Sequence, residues 1–521
     1  MGGRTEFDMT FGVRGGDASV DRKVREEGAP FRLLLMGDFS GRAIRRERGE
    51  AVPLKRPLVV DAGDLDRAVA ALAPAVPVVV GNLPEETVRF SALEDFHPDH
   101  LFARLAMFET PGRLRRELAR STAGGETFTA VEAWLSEMTG AAPGAGPPSS
   151  TASGTTAGDA AESTASALER LLGRGPAAGS APPATDLLQG ILQQAVRPHL
   201  TSDDDVQRRA LLLSVVDEVL TAQLRAVLAS PALRPVEAAW RGVERIARAV
   251  DTDQSLVIAL FDACPRDLDE ALVAAGGDLA RSELHRLLVG SGSNDQPWSV
   301  IAVAWDFGLE LAELQRLAML GALAARTGAI LLADASLTLI GCTSPADAAD
   351  PARWQTAAGG DAATFWQALR ESPVGRSIGL VLPRILARLP YGKKTDPIDS
   401  FPFEELSSQA TRSPTAHRLW GSGAFGLAQL YAAAFRAEGW SGDVDGTELE
   451  DLPSHTFDDE GETRLVPAGQ VAWPERAVEP LLTRGITPLL ARRDRAALHL
   501  SRSCSIAVPS TPLTVSSTTG D

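Results

Sequence analysis

Up to residue 139 the apolar runs are short and punctuated. Residues 31–36 (FRLLLM) end at Gly37 and predict a buried strand. Residues 57–60 and 77–80 (PVVV) predict the same, and 86–90 (ETVRF) alternates as a half-buried strand does. Helical periodicity covers 64–72, 100–107 and 130–139. Together these predict a small α/β or α+β domain over residues 1–139. From residue 187 the pattern is more regular. Ser202 can cap a helix whose first turn is Asp203, Asp204 and Asp205, where acidic residues suit the positive end of the dipole. Leu213, Val216, Leu220, Leu224 and Val227 follow at helical spacing. Residues 299–305 (SVIAVAW) predict a strand, 309–326 a helix stopped by Gly328, and 329–333 a strand. Strand, helix, strand at this spacing implies a parallel pair with a right-handed crossover. Residues 255–261 (SLVIALF) add a third strand candidate. The fold class is α/β, with a mixed α+β N-terminal part: two globular parts, 1–139 and 187–507.

Between them, residues 140–186 are Gly, Ala, Ser, Thr and Pro with few bulky side chains. Such a segment buries too little surface to offset its ordering entropy and predicts a long disordered linker, interrupted at most by a short helix at 167–172. The Ser/Thr-rich tail, 508–521, is expected to be disordered too. No fixed-period repeat is found.

Composition narrows the function. The chain has 521 residues, 51 basic against 68 acidic, and a net charge of -17. That balance disfavours phosphate backbones and anionic lipid, so nucleic acid is not an expected partner. No apolar stretch is long enough to span a bilayer, so no membrane insertion is expected. Three distant cysteines, Cys264, Cys342 and Cys504, form no CxxC pair and read as small buried residues in a reducing compartment.

Candidate chemistry is sparse. Residues 421–426 (GSGAFG) fit GxGxxG, with Asp443 and Asp445 where a ribose-binding acid would sit. The preceding segment, 413–420, is polar and holds Pro414, so the better account is small residues opening a packed helix. There is no P-loop, HExxH or GxSxG pattern. His97 and His100 have metal-like spacing, but no further ligands can be placed, and Pro98 suits a polar helix start. No catalytic, cofactor or metal residues are nominated. More unusual is 382–392 (LPRILARLPYG), with Arg384 and Arg388 between prolines. Paired arginines beside a rigid turn bind carboxylates, either within the chain or on a neighbouring subunit.

Several strings together resemble one family. Residues 90–98 (FSALEDFHP) and 30–41 (PFRLLLMGDFSG) are similar to the small subunit of the type VI secretion contractile sheath. Residues 233–243 (LRPVEAAWRGV), 382–392, 401–405 (FPFEE), 419–421 (LWG) and 452–455 (LPSH) resemble its large subunit, in the expected order. The likeness covers about 30–140 for the small subunit and 187–507 for the large one. It implies a fused structural subunit of a bacterial cytoplasmic sheath. Such a subunit self-assembles around an inner tube of ring protein, meets baseplate proteins, and drives tube ejection by contraction. A hexameric AAA+ unfoldase then recycles the sheath. Contraction needs two packings of different free energy rather than an active site. The resemblance places interface residues at Trp240, Arg241, Arg384, Arg388, Tyr391, Glu404 and Glu405.

Family large subunits continue beyond the matching segment with strands exchanged between neighbours, whereas this sequence ends in its Ser/Thr-rich tail. The stretch 187–196 (LLQGILQQAV) has an apolar helical face that could serve recycling, and 5–13 (TEFDMTFGV) is a loose candidate for a donated strand. Two alternatives stay open: a non-polymerising paralogue acting as cap, baseplate adaptor or regulator, and a nucleotide-dependent enzyme using Gly421–Gly426.

Overall fold

The computed structural model describes residues 28–61, 63–120, 124–139, 205–290, 296–355, 359–407, 410, 413, 415, 417–459 and 461–515. Several sequence expectations lie outside these residues: the linker at 140–186, the segments 5–13, 167–172 and 187–196, and the cap at Ser202.

The strands, in chain order, are β1 (Phe31–Gly37), β2 (Leu58–Val60), β3 (Ala75–Val78), β4 (Glu86–Arg89), β5 (Leu256–Asp262), β6 (Val300–Phe307), β7 (Ile330–Ala335) and β8 (Ile378–Leu382). They continue with β9 (Ile385–Leu386), β10 (Trp420–Gly421), β11 (Glu448–Leu449), β12 (Thr456–Asp459), β13 (Glu462–Leu465), β14 (Ile486–Ala491) and β15 (Leu498–Leu500). Among the described residues, nine strands form one sheet in the order β11-β15-β14-β8-β7-β6-β1-β5-β2. The run from β5 through β1, β6, β7 and β8 to β14 is parallel. β2, β15 and β11 join this sheet antiparallel, and the remaining strands make small antiparallel pairs, β3 with β4 among them.

β1 explains why the sheet is continuous. Leu33, Leu34, Leu35 and Met36 are all 0% exposed. A strand apolar on both faces must be covered on both, which is the position of an inner strand in a parallel sheet. It pairs with β5 from Phe31↔Leu256 to Gly37↔Asp262, and with β6 from Leu33↔Val300 to Met36↔Val303. Alternation then divides its side chains. Leu34 and Met36 join the cluster that contains Leu317, Leu320 and Leu323, while Phe31 meets Phe435 with ring centroids 5.0 Å apart.

Helices cover the two faces. α1 (Arg42–Glu47), α2 (Leu65–Leu72) and α3 (Pro98–Arg104) belong to the N-terminal segment, as do α4 (Glu109–Leu118) and α5 (Gly125–Thr139). α6 (Asp205–Leu228), α7 (Leu233–Ala249), α8 (Pro265–Ala274), α9 (Leu311–Thr327) and α10 (Gly423–Glu438) follow. α9 lies against β6 and β7, and ends at Gly328 with φ 69°, as the sequence predicts. α10 packs on β6, β7, β8 and β1, and α7 packs on α10.

The chain forms two compact units that cut across the sequence boundaries. One comprises Met1–Val78, Glu86–Arg104 and Leu228–Asp521, over their described residues; the other comprises Val79–Glu85 and Leu105–Val227. The division follows pairing rather than chain order, because β1 is hydrogen-bonded to strands more than 200 residues away. The second unit is built on α4, α5 and nearly all of α6. It buries Leu114, Leu118, Phe128, Val131, Val216 and Leu220, with ion pairs Arg115–Asp217 and Arg208–Glu132, each at 2.5 Å.

Two smaller expectations need revision. The strand expected at 77–80 runs instead from Ala75 to Val78, because it pairs in register with β4. The tail is ordered as far as residue 515: Leu513 is 3% exposed, and its carbonyl accepts from the Tyr431 hydroxyl at 2.7 Å. One apolar residue in a polar segment supplies the anchor.

Candidate functional site

The turn after β1 is the first junction. Asp38 caps α1, its carboxylate accepting from Arg42 N at 2.6 Å and Ala43 N at 2.8 Å. Gly41 has φ 74°, and a Cβ there would meet the Ala75 carbonyl oxygen at 2.5 Å, so only glycine fits. The turn is gripped from the far side of the sequence. Asp262, at the end of β5, accepts from Phe39 N at 3.0 Å, Ser40 N at 3.1 Å and the Ser40 hydroxyl at 2.7 Å. Arg42 forks onto Asp267 at the start of α8, with Nε 2.5 Å and Nη2 3.0 Å from its oxygens. Trp240 on α7 is fully buried; its indole N–H donates to the Phe39 carbonyl at 2.9 Å and its ring meets Phe39 edge-on at 5.5 Å.

The second junction is a buried charge network. Arg388 donates from Nε to Glu237 at 2.6 Å, and from Nη1 and Nη2 to the two oxygens of Glu405 at 2.7 and 3.0 Å. Glu405 also accepts from Tyr391 N, and its own N–H donates to the Tyr391 carbonyl, both at 2.8 Å. The Arg388 guanidinium lies 4.2 Å from the Tyr391 ring centroid. Burial alone would lower the pKa of Arg388, but Glu237 and Glu405 outweigh it and hold the guanidinium well above its ordinary value. Burial pushes the Tyr391 hydroxyl up strongly. Arg241 pairs with Glu244 at 2.9 Å, and its Nη2 reaches the Tyr391 hydroxyl at 3.5 Å. Glu404 accepts from Lys393 N at 3.1 Å.

This network also touches the N-terminal segment. His97 meets the Tyr391 ring edge-on at 5.1 Å. Asp99, in the first turn of α3, accepts from Asp399 N at 2.9 Å and Ser400 N at 3.0 Å, and from the Ser400 hydroxyl. Nearby, Phe90 and Phe96 stack at 4.1 Å. Asp95 accepts from Ser91 N at 2.6 Å and Ala92 N at 3.1 Å, and pairs with Arg104 at 2.6 Å. Burial acts to raise its pKa, but the bonds from Ser91, Arg104 and Ala92 bring it down to about 2.

Thus Arg388, Tyr391, Glu405 and Arg241 come together, with Glu404 beside them, while Trp240 serves the first junction. Arg384 is separate. It forks onto Asp306 at 3.1 and 2.5 Å, in a pair about a third exposed. The two arginines flank the two-residue strand β9, and each is held by its own acids: Arg384 by Asp306, Arg388 by Glu237 and Glu405. The partners Glu237, Asp262, Asp267 and Asp99 carry no sequence signal of their own; only Glu237, one turn before Arg241 on α7, sits in a string already singled out.

Gly423 and Gly426 open α10 as small packing residues. A Cβ on the first would meet the Pro383 carbonyl at 2.6 Å, and on the second Ile385 at 2.3 Å. The first amides of α10 are occupied from within: Asp334 accepts from Ala424 N at 2.8 Å and the Ser422 hydroxyl from Phe425 N at 3.1 Å.

The family model described as VipB: EvpB/VC_A0108, tail sheath N-terminal domain, matches residues 211–506. The chain is 28% identical over 305 residues to the type VI secretion system sheath protein TssC1 of Pseudomonas aeruginosa. That match takes in 57% of this chain and spans 60% of the relative's length. The family is one of structural sheath proteins rather than enzymes. With the family model covering more than half of its residues, this chain belongs to the VipB family of type VI secretion sheath proteins.

Proposed function

We propose that the protein is a structural subunit of the cytoplasmic contractile sheath of a bacterial type VI secretion system. In this reading a small-subunit-like part (1–139) and a large-subunit-like part (187–507) are fused and fold as partners. One observation carries it: β1, from the first part, occupies the gap between β5 and β6 of the second. Without it those two strands would present unpaired edges and uncovered apolar side chains. Trp240, Arg388, Tyr391 and Glu405 then act at the seam between the two parts, and Arg241 and Glu404 support them. The sheath lattice forms by self-assembly around an inner-tube ring protein, with baseplate proteins at one end and an AAA+ unfoldase recycling it. No cofactor enters this account.

The direct test is to express residues 1–139 and 187–521 separately and together. The second segment is expected to be insoluble alone and recovered in a 1:1 complex when co-expressed. A soluble, cooperatively folding second segment on its own would overturn the reading.

A further inference from the structure

The parallel strands β6, β7 and β8 end at a cavity of about 820 Å³, entirely within the first compact unit. Its wall includes Arg234, Asp306, Asp334, Thr338, Arg384 and Ser422. The carboxyl end of a parallel sheet is where α/β folds place ligands, because loops and helix starts converge there. Here a largely apolar wall carries two arginines and two aspartates whose charges are unevenly matched.

Arg234 is the unmatched member. It stands in the first turn of α7, half-buried, and its Nη2 donates to the Arg418 carbonyl. Among the described residues no carboxylate lies within ion-pair distance of it. Burial lowers its pKa; the more distant Glu405 and Glu237 act to raise it, and Arg388 and Arg384 to lower it. Its neighbours are each matched: Arg388 by Glu237 and Glu405, Arg384 by Asp306. The Arg384–Asp306 pair is about a third exposed, so it can rearrange at small cost. Asp334, 2% exposed, gives one oxygen to Ala424 N. Burial and the neighbouring Asp306 raise its pKa to about 7, so near neutrality its carboxyl can itself donate.

We infer that this cavity binds a carboxylate, held by the guanidinium of Arg234 and approached by that of Arg384. A guanidinium recognises a planar carboxylate through two parallel hydrogen bonds. A phosphate dianion fits less well, because Asp306 shares the wall and would repel the second charge. The volume exceeds what one carboxylate fills and admits the side chain that carries it. An aspartate or glutamate of a protein segment and a free small carboxylic acid offer the same chemistry.

Calorimetric titration of the full chain separates these sources, using glutarate as one probe and a short blocked peptide with a single glutamate as the other. The inference expects saturable binding of at least one probe. Arg234→Met is expected to weaken it by at least about tenfold, or roughly 1.4 kcal/mol. Binding of the peptide alone assigns the site to a protein segment; equal binding of glutarate assigns it to a small acid. Should Arg234→Met fail to fold, Thr338→Trp fills the cavity from its exposed rim while both arginines are retained, and must also abolish binding. Absence of binding by both probes up to about 10 mM, or binding unchanged in the variants, overturns the inference.

Discussion

At the scale of the residue, burial separates two arginines that look equivalent in sequence. Arg388 is 9% exposed and bound to two glutamates, whereas Arg384 shares a partly solvated pair with Asp306. Removing one partner of a buried pair leaves an uncompensated charge, which costs about 3–5 kcal/mol, while exposed pairs contribute about 0–1 kcal/mol. Glu405→Ala is therefore expected to destabilise the chain by about 3 kcal/mol or more in urea melts, and Arg384→Ala by less than about 1 kcal/mol. Equal effects would contradict the distinction. Asp95 gives a pH-dependent prediction. Its folded pKa, about 2, lies below the ordinary 3.8, so its bonds contribute fully above the ordinary value and are lost as pH falls toward 2. The stability gap between wild type and Asp95→Asn should be largest at neutral pH and close between about pH 4 and pH 2. A gap independent of pH would show that the carboxylate charge is not what the Ser91 and Arg104 contacts hold.

At the scale of the element, β1 carries the account. Each of its fully buried leucines contributes about 1.5–3 kcal/mol by transfer, and truncation adds a cavity term. Leu34→Ala is expected to cost about 2–5 kcal/mol and to loosen protection of the β5 and β6 amides in hydrogen exchange. Loss of protection confined to residues 31–37 would argue that the strand is an accessory to the sheet.

The existence of β1 was legible in the sequence, since six residues with five large apolar side chains end at a glycine. Its place was not, because a continuous apolar run specifies burial on both faces but names no partner, and its neighbours lie beyond residue 255. The composition of 140–186 marked a linker between two parts, but nothing in it foretold that β1 would pair with β5 and β6. The crossover from β6 through α9 to β7 was readable in full, because each step is local: a strand, an apolar helical face, a glycine stop. The seam was half readable. Arg388 and Tyr391 stood out beside prolines, but Glu237 lies 151 residues from Arg388 and is one acid among many.

At the scale of the whole molecule, a net charge of -17 bears on assembly. Copies with like surface charge repel at low ionic strength, and the screening length falls from about 30 Å at 0.01 M salt to about 8 Å at 0.15 M. Lattice formation should therefore be weak near 0.01 M salt and stronger near 0.15 M, as read by light scattering. The opposite trend would show that attractive ion pairs between copies dominate. The measurement that bears most directly on a sheath role is negative-stain electron microscopy of the purified full chain, alone and with its inner-tube ring protein. The account predicts hollow tubes of regularly stacked subunits in at least one of these preparations. Discrete particles alone, in both preparations and at every salt concentration, would contradict it.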